Sequence, residues 1–454
     1  MKMKTLTLKT IAEITGGGLC GVADADTAVA GVSIDSRKCG DGYLFICTVG
    51  ERVDGHDFAA SAVEAGAVCC LAEKNLGGIP HILVESTLEA LKTIASYYRT
   101  LFDIPFIGVT GSVGKTTAKE MTAVVLSQKF NVLKTPENLN NEIGVPLTLL
   151  SLRDEHTAAV IEMGISEFGE MSRLATMVRP DICIMTAIGY CHLETLGDLD
   201  GVLKAKSEVF GFMPSDSVAV LNGDDEKLAA FDPGMRRVTF GIGEQNDFYA
   251  ADIVDDGFDG ISCKICHAGG GFDVRIPAYG RHIVLAALAA AAVGSLLGVD
   301  DDAVRCGLLD YAPVGGRANV ERTDYITIIN DCYNANPNSV TAALTSLASL
   351  PGRRVAILGD MNELGKKSDD LHRGIGVLTG KLGIDCVICC GKQAEFIYKG
   401  HISGGTNLEA WYFPMKEAFF SVLPSLIKKD DTVLVKASHG MHFEEIVEEL
   451  RGLQ

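Results

Sequence analysis

Basic charge is what this sequence has too little of. Against 59 Asp and Glu it carries 40 Lys and Arg, a net charge of −19 over 454 residues. A nucleic-acid binder needs a basic patch or stripe, so that class is excluded. Nor does the N-terminus read as an export leader: Met1-Lys2-Met3-Lys4 runs into alternating polar and apolar residues, with no apolar core segment. No apolar run reaches membrane-spanning length. The longest uncharged stretch, Ile283 to Val299, is too short and rich in alanine, which predicts a buried helix.

Cysteine is plentiful, but a pairing pattern is absent. The 14 cysteines are scattered and often sit inside apolar runs, such as Cys69-Cys70 and Cys389-Cys390. That usage suits reduced core thiols in a cytoplasmic protein. Cys263-Lys264-Ile265-Cys266-His267 matches the spacing of a haem attachment. Covalent haem requires export, and a zinc site requires a second ligand pair that the chain lacks, so a strand pair carrying two cysteines is expected.

What is present centres on Phe106-Ile107-Gly108-Val109-Thr110-Gly111-Ser112-Val113-Gly114-Lys115-Thr116-Thr117. An apolar run stops at a glycine-rich turn, and Lys-Thr-Thr opens a helical segment. Glycines let backbone N–H groups converge on an anion, and the helix N-terminus adds partial positive charge. Lys115 would reach the outer phosphates and the Thr116 hydroxyl a magnesium ion. The commonest form of the motif wants glycine where Val109 stands. Gly-x-x-Gly-x-x-Gly also admits a dinucleotide reading, but Lys-Thr-Thr favours a triphosphate.

The length suggests about three domains, and the pattern divides at residues 1–103, 104–314 and 315–454. The first reads as a small α/β unit. In it Ser33-Ile34-Asp35-Ser36-Arg37 ends a strand, Gly42–Cys47 forms another, and a loop from Gly50 to Phe58 carries Asp54-Gly55-His56. These residues suit either an anionic sugar-nucleotide or ordinary loop capping. In the second unit, a loop dense in amides runs from Thr135 to Pro146 and includes Asn138, Asn140 and Asn141. Ala158–Glu162 reads as a buried strand ending in a carboxylate, where phosphate-loop proteins hold the nucleotide's magnesium. A further strand, Asp181–Ile188, precedes His192, and Leu203–Phe210 has helical period around Lys204 and Lys206. On pattern alone that histidine and those lysines read as structural and solvated. Short strands follow from Ser217 to Tyr279, and an alanine-rich helix from Arg281 closes the unit. The third unit alternates strand and helix (Tyr325–Asn330, Arg354–Gly359, Asp385–Cys390, Glu409–Phe413, Thr432–Lys436), a doubly wound α/β arrangement. Polar residues mark its strand ends: Asp331 with Tyr333 and Asn334, Asp360 with Glu363, Lys436 with Ser438.

The order of these motifs resembles the ATP-dependent Mur ligases of peptidoglycan synthesis, over nearly the whole chain. Asn138-Leu139-Asn140-Asn141, Asp331-Cys332-Tyr333-Asn334-Ala335-Asn336-Pro337 and Gly359-Asp360-Met361-Asn362-Glu363-Leu364-Gly365 are similar to the type that joins D-alanyl-D-alanine to UDP-N-acetylmuramoyl-tripeptide. The Asp-Asn-Pro-Arg motif of the type adding the third residue is absent. The resemblance implies a three-domain architecture: a UDP-sugar-binding N-terminal unit, a central ATPase unit and a C-terminal Rossmann-like unit. It implies ATP and Mg2+ as cofactors, small-molecule substrates and a monomeric cytoplasmic enzyme. Ser33, Asp35, Ser36, Arg37, Asp54, Gly55, His56, Asn138, Asn140 and Asn141 would meet the UDP-substrate. The loop Gly111–Thr117, His282, Arg317, Asp331, Tyr333 and Asn334 would approach ATP. Thr116, Glu162, His192 and a Lys206 carbamylated by CO2 would hold metal, with Lys115, Glu162, His192 and Lys206 carrying the chemistry.

The chain departs from the family at asparagine positions. Val113, Ala187, Ile283 and Ala286 stand where the family has Asn, and Lys436-Ala437-Ser438-His439 replaces Lys-Gly-Ser-Arg. Within the enzyme class the rival is a relative joining a different carboxylate and amine. Folylpolyglutamate synthetases share the central logic but not the Ser33–Arg37 and Asp54–His56 elements. A nucleotide switch would carry Asn-Lys-x-Asp, which is missing, and a phosphate-loop kinase leaves two domains and Lys206 unused.

Overall fold

Strands whose residues are apolar on both faces must be covered on both faces, and such strands pair in parallel. The computed structural model, which describes residues 3–50, 52–404 and 409–453, follows that rule three times. Met1 and Lys2 of the N-terminus, and Glu51 within the loop from Gly50 to Phe58, lie outside the described residues.

In the N-terminal sheet, five strands lie in the order Gly18–Cys20, His81–Leu83, Ala67–Ala72, Tyr43–Ile46, Gly31–Ser33, all parallel except the first. The central sheet has nine strands. From its outer edge inward, Val132–Lys134, Ala158–Glu162, Phe106–Thr110, Ile182–Met185, Val218–Asn222, Arg236–Gly241 and Phe248–Asp255 are parallel. Two antiparallel strands, Ile261–His267 and Gly270–Ile276, complete it. The third sheet has six strands, parallel except for the edge pair Asn319–Arg322 and Thr327–Asn330.

Phe106–Thr110 and Ala158–Glu162 are buried at every position, so their carboxyl ends open together at one edge of the core. Helix Lys115–Leu126 covers them and packs on the alanine-rich helix Ile283–Leu296. That second helix is buried nearly all round. Among the described residues no helix is long and apolar enough to cross a membrane. Small side chains permit the close approach; a Cβ at Gly294 would come within 2.9 Å of Val125.

Several expectations shift in detail. The amide-dense loop, expected to run to Pro146, ends earlier in a helix, Gly144–Leu150, whose first N–H donates to Asn141 Oδ1 at 2.9 Å. The strand expected over Asp181–Ile188 stops at Met185, because the chain must leave the sheet to clamp the phosphate loop. The region after Arg281 is two helices, the second being Asp301–Leu309. Edge strand Asn319–Arg322 is new, its half-polar composition having hidden it. The Cys263–His267 run lies within one strand, and His267 is consumed structurally, stacked on Phe248 at 5.4 Å with Nε2 3.2 Å from Asp301.

One buried phenol ties the N-terminal and central units. Tyr98 Oη accepts from the Lys4 N–H at 3.0 Å and donates to the Leu152 carbonyl at 2.9 Å. Tyr98→Phe strands both groups, so urea denaturation should register a loss of about 1–3 kcal/mol with the circular dichroism spectrum unchanged.

Candidate functional site

The phosphate loop is built from the strand Phe106–Thr110 outward. Gly111 has φ +141°, and a Cβ there would lie 2.0 Å from Thr186 Oγ1, so only glycine fits. Gly114, at φ +79°, begins the helix Lys115–Leu126 with no side-chain cap. The first N–H groups of that helix are therefore left for an anion. Lys115 Nζ folds back onto the Gly111 carbonyl at 2.8 Å.

The loop is clamped by the segment that leaves the neighbouring strand. Thr186 Oγ1 donates to the Val113 carbonyl at 2.5 Å, and the Ser112 N–H donates to the Ala187 carbonyl at 2.8 Å. Ser112 Oγ accepts from the Gly189 N–H at 2.9 Å. Val113 and Ala187 thus join the clamp through their backbone carbonyls, a contact that does not depend on the side chain.

Behind the loop sits a buried carboxylate. Glu162 Oε2 accepts from Thr116 Oγ1 at 2.8 Å and Oε1 from Asn140 Nδ2 at 2.8 Å, while its N–H donates to Thr135 Oγ1 at 2.9 Å. Lys119, fully buried, places Nζ 3.7 Å from Glu162 and 3.1 Å from Glu120, and donates to the Thr135 carbonyl at 2.8 Å. The sequence reading missed Lys119. Its signal was there: one helical turn after Lys115, it shares that lysine's helix face.

Lys206 is also buried, 1% exposed, so the solvated-lysine reading of its helix is corrected. The pattern failed because the helix Leu199–Ser207 turns Val202, Ala205 and Lys206 inward together. Burial pulls its amine down to about 8 from the usual lysine value, and no hydrogen bond or ion pair among the described residues uses its ammonium.

From the C-terminal unit, the Arg317 guanidinium lies 3.9 Å over the Tyr333 ring, which stacks at 5.5 Å on His439. Lys436 Nζ pairs with Asp331 Oδ2 at 2.6 Å and donates to the Asn334 carbonyl at 3.0 Å. Asn336 Nδ2 donates to the Ser112 carbonyl at 3.5 Å, so this unit touches the loop directly.

Both units line one cavity of about 500 Å³. It brings together Ser112, Val113, Gly114, Lys115, Thr117, Asn140, Asn141, Glu162, His192 and His282 with Arg317, Asp331, Tyr333 and Asn334. Ala187, Ile283 and Ala286 line it as well, giving an apolar wall beside Phe240 and Leu285. Gly111, Thr116 and Lys206 are buried behind the surface, and Asn138 is not part of the lining.

The N-terminal residues lie on a separate sheet. Asp35 grips Arg37 at 2.9 Å, which holds its carboxyl down at about 2. Ser33 Oγ donates to the Asp35 carbonyl at 2.9 Å. Asp54 meets Lys74 at 2.9 Å and His56 Nδ1 at 2.5 Å, while His56 Nε2 accepts from the Glu73 N–H at 2.9 Å. The His56 ring is thus committed to its own loop. Arg37, with an 86% exposed side chain, is the cation of this group that faces solvent. Among the described residues no three His, Cys, Asp or Glu side chains are spaced to hold a metal by themselves.

Removing the buried cation should leave the buried Glu162 without its nearest positive charge, while Glu120 keeps Lys134. Lys119→Met should therefore cost about 3–5 kcal/mol in chemical unfolding, and isothermal titration should register weaker nucleotide binding.

The chain is similar over its full length to known proteins. Family models described as Mur ligase family, catalytic domain; Mur ligase middle domain; and Mur ligase, glutamate ligase domain match residues 28–99, 109–294 and 316–439. The UDP-N-acetylmuramoyl-tripeptide--D-alanyl-D-alanine ligase of Escherichia coli (strain K12) is 36% identical, with 99% of each chain covered. The ligase of the same name from Bacillus subtilis (strain 168) is 36% identical, with 98% of each covered. A crystal structure of MurF from Acinetobacter baumannii aligns over 100% of both chains at 30% identity and a TM-score of 0.91. The Thermotoga maritima MurF ligase in complex with ADP aligns over 93% of this chain and 97% of that one, at 29% identity and a TM-score of 0.83. This chain belongs to the Mur ligase family.

Proposed function

We propose that the protein is an ATP-dependent ligase that joins D-alanyl-D-alanine to UDP-N-acetylmuramoyl-tripeptide. The observation that carries this reading is the single cavity in which an uncapped phosphate cradle faces Arg317, Asp331 and Lys436 of another domain. The full-length similarity to ligases of that name supports the substrate pair.

The reaction needs a carboxylate activated and then attacked by an amine. The tripeptide carboxylate attacks the γ-phosphorus of ATP, giving an acyl phosphate and ADP. The dipeptide amine then attacks the acyl carbon, and phosphate leaves with the proton passing to solvent. The chain's part is positioning and charge neutralisation. Lys115 exchanges the Gly111 carbonyl for phosphate oxygens, and the N–H groups after Gly114 receive the same charge. The wall of Ile283, Leu285 and Ala286 holds a flat base by packing. Residues 1–103 hold the UDP moiety with Arg37 exposed to it, residues 104–314 hold ATP, and residues 315–454 supply the closing face. The protein works as a cytoplasmic monomer.

The donor set fits Mg2+: a hydroxyl and a carboxylate, both hard oxygen donors, stand 2.8 Å apart beside the cradle. Thr116, Glu162, His192 and Lys206 would hold it, and when bound it would neutralise charge on the transferring phosphoryl group. Lys206 suits a carbamate, since a buried amine with a value of about 8 is partly neutral near pH 7. The neutral amine adds to CO2 and releases a proton, becoming an anion.

Phosphate release from ATP is expected only when both UDP-muramoyl-tripeptide and D-alanyl-D-alanine are supplied. Turnover that persists without the dipeptide overturns the ligase reading. Lys206→Ala should lower kcat by about 100-fold with bicarbonate giving no recovery, and the parent enzyme in 13C-bicarbonate should give a carbamate resonance that the variant lacks. Full activity in the variant sinks the carbamate.

A further inference from the structure

We propose that Glu363, on the C-terminal unit, is a positioning residue that orients the ring of His192 across the domain boundary. His192 Nδ1 lies 2.5 Å from Glu363 Oε2. This nitrogen is sealed from solvent and makes no aligned hydrogen bond among the described residues, so the Glu363 carboxylate meets it as a close charge contact, one small ring rotation from a bond. With Nδ1 turned to the carboxylate, Nε2 is the nitrogen left for chemistry in the cavity that His192 lines.

The contact is built from both sides. His192 and Glu363 are both non-glycine residues in the left-handed backbone region, at φ 51° and 63°. Such conformations persist where surroundings enforce them. The surroundings are visible: the Glu194 N–H donates to the Glu363 carbonyl at 3.2 Å. A Cβ on Gly365 would come within 3.3 Å of Glu194 Cα, so the two loops touch backbone to backbone. Nearby, the Tyr190 N–H donates to Asn338 Oδ1 at 3.0 Å. The segment carrying His192 is therefore fixed by the C-terminal unit, and separating the units releases the ring. Domain docking and readiness of His192 become one event.

The inference rests on the reading of His192 as a residue that faces the divalent cation. A carboxylate on the far nitrogen fixes tautomer and direction of such a ring, and its loss weakens metal binding by about 10–100-fold. The test is a Mn2+ titration, followed by electron paramagnetic resonance, of the full chain with a non-hydrolysable ATP analogue. Glu363→Asn is the main variant, because asparagine accepts the left-handed backbone more readily than glutamate while its short amide abandons the contact. Glu363→Gln keeps length and an acceptor oxygen, and His192→Ala is the reference. Mn2+ affinity about tenfold weaker in Glu363→Asn and His192→Ala, an unchanged melting curve for Glu363→Asn, and near-parental affinity in Glu363→Gln support the proposal. Parental affinity in Glu363→Asn beside a weakened His192→Ala overturns it. Equal loss in Asn and Gln variants marks a merely structural contact and also overturns it. No effect of His192→Ala removes the reading of that histidine and the proposal with it, while leaving the substrate-omission result untouched.

Discussion

A carboxylate sunk in a parallel sheet is the constraint around which the central unit is arranged. Glu162 ends a strand with no exposed residue, so each of its polar atoms must be answered internally. Thr116 from the helix after the phosphate loop, Asn140 from the amide-dense loop and Thr135 from the next strand's end provide those answers. Lys119 holds the backbone of the same loop and supplies the nearest positive charge. Glycine-rich loop, amide-dense loop and buried carboxylate are thereby one hydrogen-bonded body. A displacement of any of them is felt by the other two.

The second constraint is that this body is half a site. The cradle faces the carboxyl ends of the C-terminal strands, where Asp331 and Lys436 neutralise each other at 2.6 Å and Arg317 rests on Tyr333. An anion entering the cavity can draw Arg317 from the ring face at modest cost, because a cation–π contact at a wet site is weak, about 0.5–1 kcal/mol. Lys436 is harder to recruit, being 3% exposed and bound to Asp331. The two cations are thus graded in availability.

Much of this was legible in the residues. Gly111, Lys115 and Thr116 announce the cradle because glycine, lysine and hydroxyl are each needed for a different physical reason, and Ala158–Glu162 announces the buried carboxylate by ending an apolar run. The Mur ligase resemblance could be read from motif order alone. What could not be read depends on distance in the chain. Lys119 sits among ordinary helix residues until Thr135 and Glu162 are brought beside it. The Glu363–His192 contact joins positions on different domains. The role of Val113 was hidden because its carbonyl, rather than its side chain, makes the bond that clamps the loop.

The buried thiols set a limit of another kind. All 14 cysteines are free, and burial pushes Cys386 and Cys390 up to about 12 and Cys389 well above its ordinary value. In the intact sheet these sulfurs are chemically silent, since the thiolate is the reactive form. Opening that one sheet returns all three to ordinary reactivity at once, within five residues of each other. Oxidation then competes with reclosure, and a chain cross-linked in that state cannot re-form the strand. Oxidation of these three sulfurs is consequently governed by how often the C-terminal sheet opens, and a reductant protects them without altering the folding equilibrium.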